Sequence, residues 1–177
     1  LYSLSIIKKH VEDFIKNQPF KGLKISMSIH LEAKTAYLAT VLKAGGAEVW
    51  VTGCNPLSTQ DDVAAALVDM GFEVNAWRGV SNEQYEEHLK KTLSLCPNLM
   101  IDDGGDLTHL IHGECRDYAK DLIGGCEETT TGIHRLFARQ RAGLLDYPMI
   151  DVNDADCKHL FDNRYGTGQS TLDGIMN

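Results

Sequence analysis

The chain has 177 residues, 43% hydrophobic and 24% charged, which suits one folded core and excludes a disordered, collagen-like or coiled-coil chain. Lys and Arg number 17 against 25 Asp and Glu, a net charge of −8, and no basic stripe could neutralise a phosphate backbone, so nucleic acid is not an expected partner. No apolar run approaches the length of a bilayer span, and Leu1-Tyr2-Ser3-Leu4 lacks the basic region of a signal peptide, so a cytoplasmic location without a membrane partner is expected.

The predicted elements run as follows. Leu4, Ile6, Ile7, Val11, Phe14 and Ile15 recur at spacings of three and four, an amphipathic helix. Leu23 to Ile29 alternates as a strand, and Glu32 to Leu42 returns to helical spacing before Gly45-Gly46 stops it. Glu48 to Thr52 and Phe72 to Ala76 are further strands, each followed by a helix, over Thr59 to Met70 and Asn82 to Leu95. A strand at Asn98 to Ile101, a helix from Thr129 to Leu144, a strand near Pro148 to Val152 and a helical stretch from about Thr171 complete the chain. Strands separated by helices, with Gly at the joins, predict right-handed crossovers in an α/β fold, a doubly wound, mostly parallel sheet flanked by helices.

Cys54, Cys96, Cys115, Cys126 and Cys157 are odd in number and include no C-x-x-C pair, so reduced thiols are expected rather than a disulfide framework or a cysteine-zinc site. The absence of an initiator Met suggests a processed boundary at the N-terminus.

In open parallel sheets ligands sit beyond the carboxyl ends of the strands. There the first strand runs into His30, the second into Cys54-Asn55, the fourth into Asp102-Asp103-Gly104-Gly105-Asp106 and the last into Asn153-Asp154. Gathered on one rim, these side chains suit acid/base work on a polar small molecule. Each also has a plainer reading. A single His after a strand is ordinarily a surface or hydrogen-bonded residue, and Asp-Asp-Gly-Gly-Asp is turn chemistry. Glu127-Glu128-Thr129-Thr130-Thr131 reads as a capped helix start, although the same amides could hold a cofactor's phosphate or ribose. Lys158 and Asp162, four apart on a predicted helical turn, could be a surface ion pair. His109 and His112 share a helical face without the H-E-x-x-H pattern, and no D-x-D-x-D calcium loop is present, so no metal is assigned. Gly166-Thr167-Gly168 lacks the third glycine of a dinucleotide fingerprint.

Ser28-Ile29-His30-Leu31, Cys54 to Asp61, Asp102 to Thr108, Glu127 to Gly132, Asn153-Asp154 and Phe161-Asp162-Asn163-Arg164-Tyr165-Gly166 resemble, in order, the substrate-domain motifs of the adenosylhomocysteinase (S-adenosyl-L-homocysteine hydrolase) family. The resemblance covers nearly the whole chain from Gly22 onward. It implies a cytoplasmic hydrolase in which NAD, bound mainly by a following domain absent from these residues, oxidises the ribose 3′-hydroxyl. Loss of the 4′ proton then expels homocysteine, water adds, and the ketone is reduced again. It further implies a nucleoside substrate, a homo-oligomer in the full-length enzyme, and a division of residues 1–177 into a helical N-terminus (1–20), an α/β body (21–165) and the start of a hinge (166–177). The chain alone is then expected to be inactive.

By the same resemblance, Lys158 and Asp162 act at the 3′-hydroxyl, and His30 and Asp103 are proton-transfer groups at the 4′ and 5′ positions. Glu128 accepts from ribose hydroxyls, Asn153 positions the substrate, and Cys54 belongs to the site without covalent catalysis. Thr129, Thr130, Thr131 and Asn163 match positions that touch the NAD. Glu32, Lys34 and Thr35 fall where the family meets the purine base. Here Glu32 and Lys34 depart from the Thr and Glu of eukaryotic members and resemble the bacterial and archaeal thermophile branch; Thr167 replaces a family cysteine. Lys34, a donor where those members carry an acceptor, predicts a shift toward S-inosylhomocysteine. Two other functions compete: a stand-alone nucleoside-binding or regulatory module without turnover, and a metal-dependent hydrolase built on Asp102, Asp103 and Asp106.

Overall fold

The computed structural model describes residues 5–176; the expected helix start at Leu4 lies outside the described residues. Six parallel strands, β1 (Lys24–Ser28), β2 (Glu48–Thr52), β3 (Glu73–Asn75), β4 (Leu99–Asp102), β5 (Gly124–Glu127) and β6 (Met149–Asp151), form one sheet in the order β3-β2-β1-β4-β5-β6. The helices are α1 (Ser5–Asn17), α2 (Ala33–Ala44), α3 (Asp61–Asp69), α4 (Asn82–Leu93), α5 (Asp106–Ile111), α6 (Thr130–Arg141) and α7 (Thr167–Met176), with a π-helical segment over Lys158–Gly166. No helix among the described residues is long and apolar enough to cross a membrane.

The doubly wound α/β architecture is the one expected, and both faces of the sheet are covered. Leu99 and Ile101 of β4 pack against the cluster of Ile25, Met27, Val49, Val51, Ala39, Leu42 and Leu67, while Met100, between them, joins Leu89, Leu93, Leu107 and Ile111 on the other face. The alternation in β1 therefore does not mark a wet face. Ser26 is fully buried, and its hydroxyl donates to the Thr92 carbonyl of α4 at 2.8 Å.

Three elements lie outside the predicted set: β5, α5 and a single 3-10 turn over Arg116–Ala119. β5 reads Gly-Gly-Cys-Glu, with none of the β-branched residues that mark a strand, because there is no room for them. A Cβ at Gly124 would strike the Pro148 carbonyl, and one at Gly125 would lie 2.8 Å from the Met100 carbonyl oxygen. α5 has six residues, too few for a periodicity to declare itself. The last helix begins at Thr167 rather than Thr171, continuing directly from the π-helical segment.

Candidate active site

The strand order reverses between β1 and β4: β2 and β3 lie on one side of this pair, β5 and β6 on the other. At such a point the loops diverge to opposite faces and leave a crevice at the carboxyl ends of the strands. His30 and Asp103 flank it, with His30 Nε2 3.9 Å from Asp103 Oδ2. Cys54, after β2, adds its thiol, which donates a hydrogen bond to Asp103. Among the described residues these three form a group of His, Cys, Asp or Glu ligand atoms that all lie within 4.8 Å of one another.

His30 Nδ1 pairs with the Ser58 hydroxyl at 2.6 Å, and that hydroxyl also lies 3.3 Å from the Asn55 carbonyl, so the ring is held by its Nδ1 edge and turns Nε2 toward Asp103. The imidazole is half exposed and Asp103 is buried. Burial, and next the Glu128 carboxylate, hold Asp103 above the ordinary carboxylate range, while His30 and the Cys54 hydrogen bond act the other way. Burial and the charge of Asp103 push the Cys54 thiol up, which keeps it protonated and a weak nucleophile.

Lys158 anchors a second cluster. Its ammonium group, 16% exposed, donates to Asn163 Oδ1 at 2.6 Å, Glu128 Oε1 at 2.9 Å and Asn153 Oδ1 at 3.3 Å, whereas Asp162, 65% exposed, stands at 3.8 Å. The backbone admits both neighbours, and the contacts of Asn163 with Asn153 hold it inward. In a π-helix the turn is wider than in an α-helix, with i→i+5 hydrogen bonds, so the i+5 side chain comes within reach of Lys158 as well as the i+4 side chain. An ordinary helical turn, the sequence expectation, would have favoured Asp162. Asn153 is 2% exposed, and its Oδ1 also receives Thr130 Oγ1 at 3.2 Å and Asn163 Nδ2 at 2.9 Å. Glu128 joins the clusters, bonding Lys158 while raising Asp103.

The sequence model of the S-adenosyl-L-homocysteine hydrolase family matches residues 3–121 and 113–166. The chain belongs to this family. Among its relatives, the S-inosyl-L-homocysteine hydrolase of Methanococcus maripaludis is 56% identical over 173 residues, 98% of this chain and 42% of the relative. The adenosylhomocysteinase of Thermoplasma acidophilum is 54% identical over 175 residues, 98% of this chain and 43% of the relative. The S-inosyl-L-homocysteine hydrolase of Methanocaldococcus jannaschii is 58% identical over 165 residues, 93% of this chain and 40% of the relative. The chain thus spans less than half the length of these curated relatives.

The residues by which the chain resembles the S-adenosyl-L-homocysteine hydrolase family do not all face the crevice freely. Thr129 caps α6, accepting from Gly132 N at 3.0 Å and donating to Glu127 Oε1 at 2.9 Å; Thr130 and Asn163 are tied to Asn153, and Thr131 is exposed. Thr35 is buried, and its hydroxyl holds the His30 carbonyl at 2.7 Å. Lys34 is 71% exposed, 3.8 Å from Glu32 Oε1.

Asp102, Asp103 and Asp106 do not form a common cation cage. Asp102 points inward and accepts from the amides of Asp103, Leu107 and Thr108 and from the Thr108 hydroxyl, while Asp106 pairs with Arg135 at 2.9 Å and accepts from Tyr85 Oη at 2.9 Å. His112 is satisfied, accepting from Asp146 N through Nε2 and donating from Nδ1 to the Thr108 carbonyl. A 610 Å³ cleft between α5 and α6, lined by His109, Arg135, Arg139 and Leu144, lies outside the predicted site.

Glu127 is the residue that sequence reasoning left without a role. Fully buried, it accepts through Oε1 from Gly104 N at 2.8 Å and Thr129 N at 2.9 Å, so it ties the Asp103 loop to the start of α6. The signal available was its adjacency to Glu128: consecutive residues at a strand end face opposite ways, so the pair had to divide between interior and rim.

Proposed function

We propose that this chain is the substrate-binding side, residues 1–177 with a hinge opening at 166–177, of an enzyme that reversibly hydrolyses S-adenosyl-L-homocysteine to adenosine and homocysteine. The observation that carries this reading is Glu128, which bonds Lys158 and presses electrostatically on Asp103, and so joins the lysine cluster to the His30–Asp103 pair. Glu128 and Asn163 orient the Lys158 ammonium group toward a ribose 3′-hydroxyl; Lys158 passes a proton to the Glu128 carboxylate 2.9 Å away and takes the hydroxyl proton in its place, with the charge of Asp162 at 3.8 Å assisting. The lone pair on His30 Nε2 and the Asp103 carboxylate take the proton from C4′, and the same pair returns a proton to the departing homocysteine sulfur and removes one from the incoming water.

NAD, when bound, supplies oxidation at C3′ and the later reduction. This sheet shares its strand order with dinucleotide-binding folds, but its β1 turn, Ser28 to Glu32, has no glycine and places a carboxylate at the N-cap of α2, where a pyrophosphate would sit. The residues therefore fit an edge contact: Thr130, Thr131 and Asn163 would touch a cofactor cradled by another part of the protein, with Thr129 holding the helix start. A pure nucleoside-binding module would need acceptors for the hydroxyls but no half-buried lysine held by two amides and a carboxylate.

A second substrate, S-inosyl-L-homocysteine, is favoured by Lys34, whose ammonium group suits the hypoxanthine carbonyl oxygen. In the full-length protein, Lys158→Ala should suppress the NADH absorbance that forms on mixing with adenosine, by about 10²- to 10⁴-fold in rate, while His30→Ala allows it and slows loss of the 5′ group. Equal suppression by both variants, with the fold intact, would overturn this division of roles.

A further inference from the structure

We propose that His30, Cys54 and Asp103 form a capture site for a borderline-soft divalent cation of the zinc type, and that its occupancy switches off the reaction proposed above. The blocking effect rests on that reading; the binding does not.

Loops after three neighbouring strands, β2, β1 and β4, deliver one nitrogen, one sulfur and one oxygen donor to a common point. Their ligand atoms lie within 4.8 Å of one another, and His30 Nε2 and Asp103 Oδ2 are 3.9 Å apart. Zinc bonds of about 2.0 to 2.3 Å in tetrahedral array separate ligand atoms by roughly 3.3 to 3.8 Å, so side-chain movements of about 1 Å close the site.

Two further features suit a cation. His30 Nδ1 is paired with the Ser58 hydroxyl at 2.6 Å, which fixes the ring and leaves Nε2 as the ligating atom, the arrangement that orients histidines at metal centres. Nε2 and Asp103 Oδ2 also face each other at 3.9 Å, a distance too long for a hydrogen bond. A cation between them bonds both. As sulfur bonds the metal, the Cys54 proton leaves to solvent, and the half-exposed His30 leaves the fourth position open to water. The donor set is too small and too soft for Mg²⁺ or Ca²⁺, which require six or more ligands, chiefly oxygens. A cation here holds the Nε2 lone pair and the Asp103 oxygen, so neither can receive the C4′ proton.

The test uses the full-length protein in thiol-free buffer. Titration with Co²⁺ should produce a sulfur-to-cobalt charge-transfer band together with tetrahedral visible bands. Cys54→Ser should abolish the charge-transfer band, His30→Gln and Asp103→Asn should weaken Co²⁺ binding at least about tenfold, and Cys157→Ser should leave the spectrum unchanged. Each variant is checked for unaltered thermal unfolding; if one fails that check, the remaining two ligand variants carry the test. One equivalent of Zn²⁺ should suppress hydrolysis, a chelator should restore it, and Mg²⁺ should do neither. A charge-transfer band that survives Cys54→Ser, or its absence from the unaltered protein, overturns the site. Binding without suppression overturns the blocking effect, whereas binding to a protein that hydrolyses no substrate even when metal-free overturns the proposed function and leaves the site standing.

Discussion

The Glu127 carboxylate occupies the space that a side chain at Gly132 would need. Gly132, in the first turn of α6, lets the helix start close over a buried carboxylate that bonds Gly104 N and Thr129 N. Gly132→Ala should drive these groups apart. Overpacking of this kind costs about 1–3 kcal/mol, and at about 2–4 °C per kcal/mol the thermal midpoint should fall by roughly 2–12 °C. An unchanged midpoint would show that the carboxylate moves aside freely.

Asp102 gives the stability a pH dependence. Burial, then the neighbouring Glu127, raises its pKa from 3.8 to about 7. Below about pH 4 the group is protonated both folded and unfolded. Between about pH 4 and 7 only the unfolded chain ionises, so stability falls as pH rises through that window and this contribution levels off above it. Glu127→Gln removes one cause of the shift, and the fall from pH 4 to 7, read by denaturant unfolding, should become shallower than in the unaltered protein. A parallel pair of pH profiles would remove Glu127 as a cause.

Because Asn163 lies nearer to Lys158 than Asp162 does, the two positions should differ in function. Asn163→Ala removes the 2.6 Å contact and leaves Asn153 without one donor, while Asp162→Asn alters a largely exposed partner. Interactions with charged groups contribute about 1.5–3 kcal/mol when dry, against about 0–1 kcal/mol for an exposed pair. In the full-length protein the first oxidation step should therefore slow at least about tenfold with Asn163→Ala and less than about fivefold with Asp162→Asn. Rapid-mixing measurement of NADH formation decides between them, and the reverse ranking would return the main role to Asp162.

The exposure of Lys34 limits what it can contribute to base choice. An exposed ionic contact amounts to about 0.2–1 kcal/mol, so Lys34→Ala should shift the ratio of inosine to adenosine affinity toward adenosine by about fivefold at most. Calorimetric titration with both nucleosides measures the ratio. A shift beyond tenfold would mean that the contact is dry in the complex.

Much of the fold was legible locally. The alternation of Lys24 to Ser28, the helical spacing of Glu32 to Leu42 and the glycines that end each unit are consequences of backbone geometry, which repeats within a few residues. β5 was not legible, since its Gly-Gly pair answers to the Pro148 and Met100 carbonyls and not to its own chain neighbours. The π-helical path of Lys158–Gly166 also left no periodic trace.

The sequence by itself determined the α/β alternation, the rim on which His30, Cys54, Asp103 and Asn153 would fall, and, through motifs in fixed order, the family. Only the tertiary structure decided which of them meet. His30 and Asp103 are far apart in the chain and come together because β1 pairs with β4, so the sheet reverses between them. Asp102 and Asp103 are neighbours in the chain, yet one is held inside by amides and the other faces the crevice. Periodicity is set by the geometry of one segment, but meeting and facing are set by strand pairing and by the need to satisfy every buried polar group, and these conditions involve the whole chain at once.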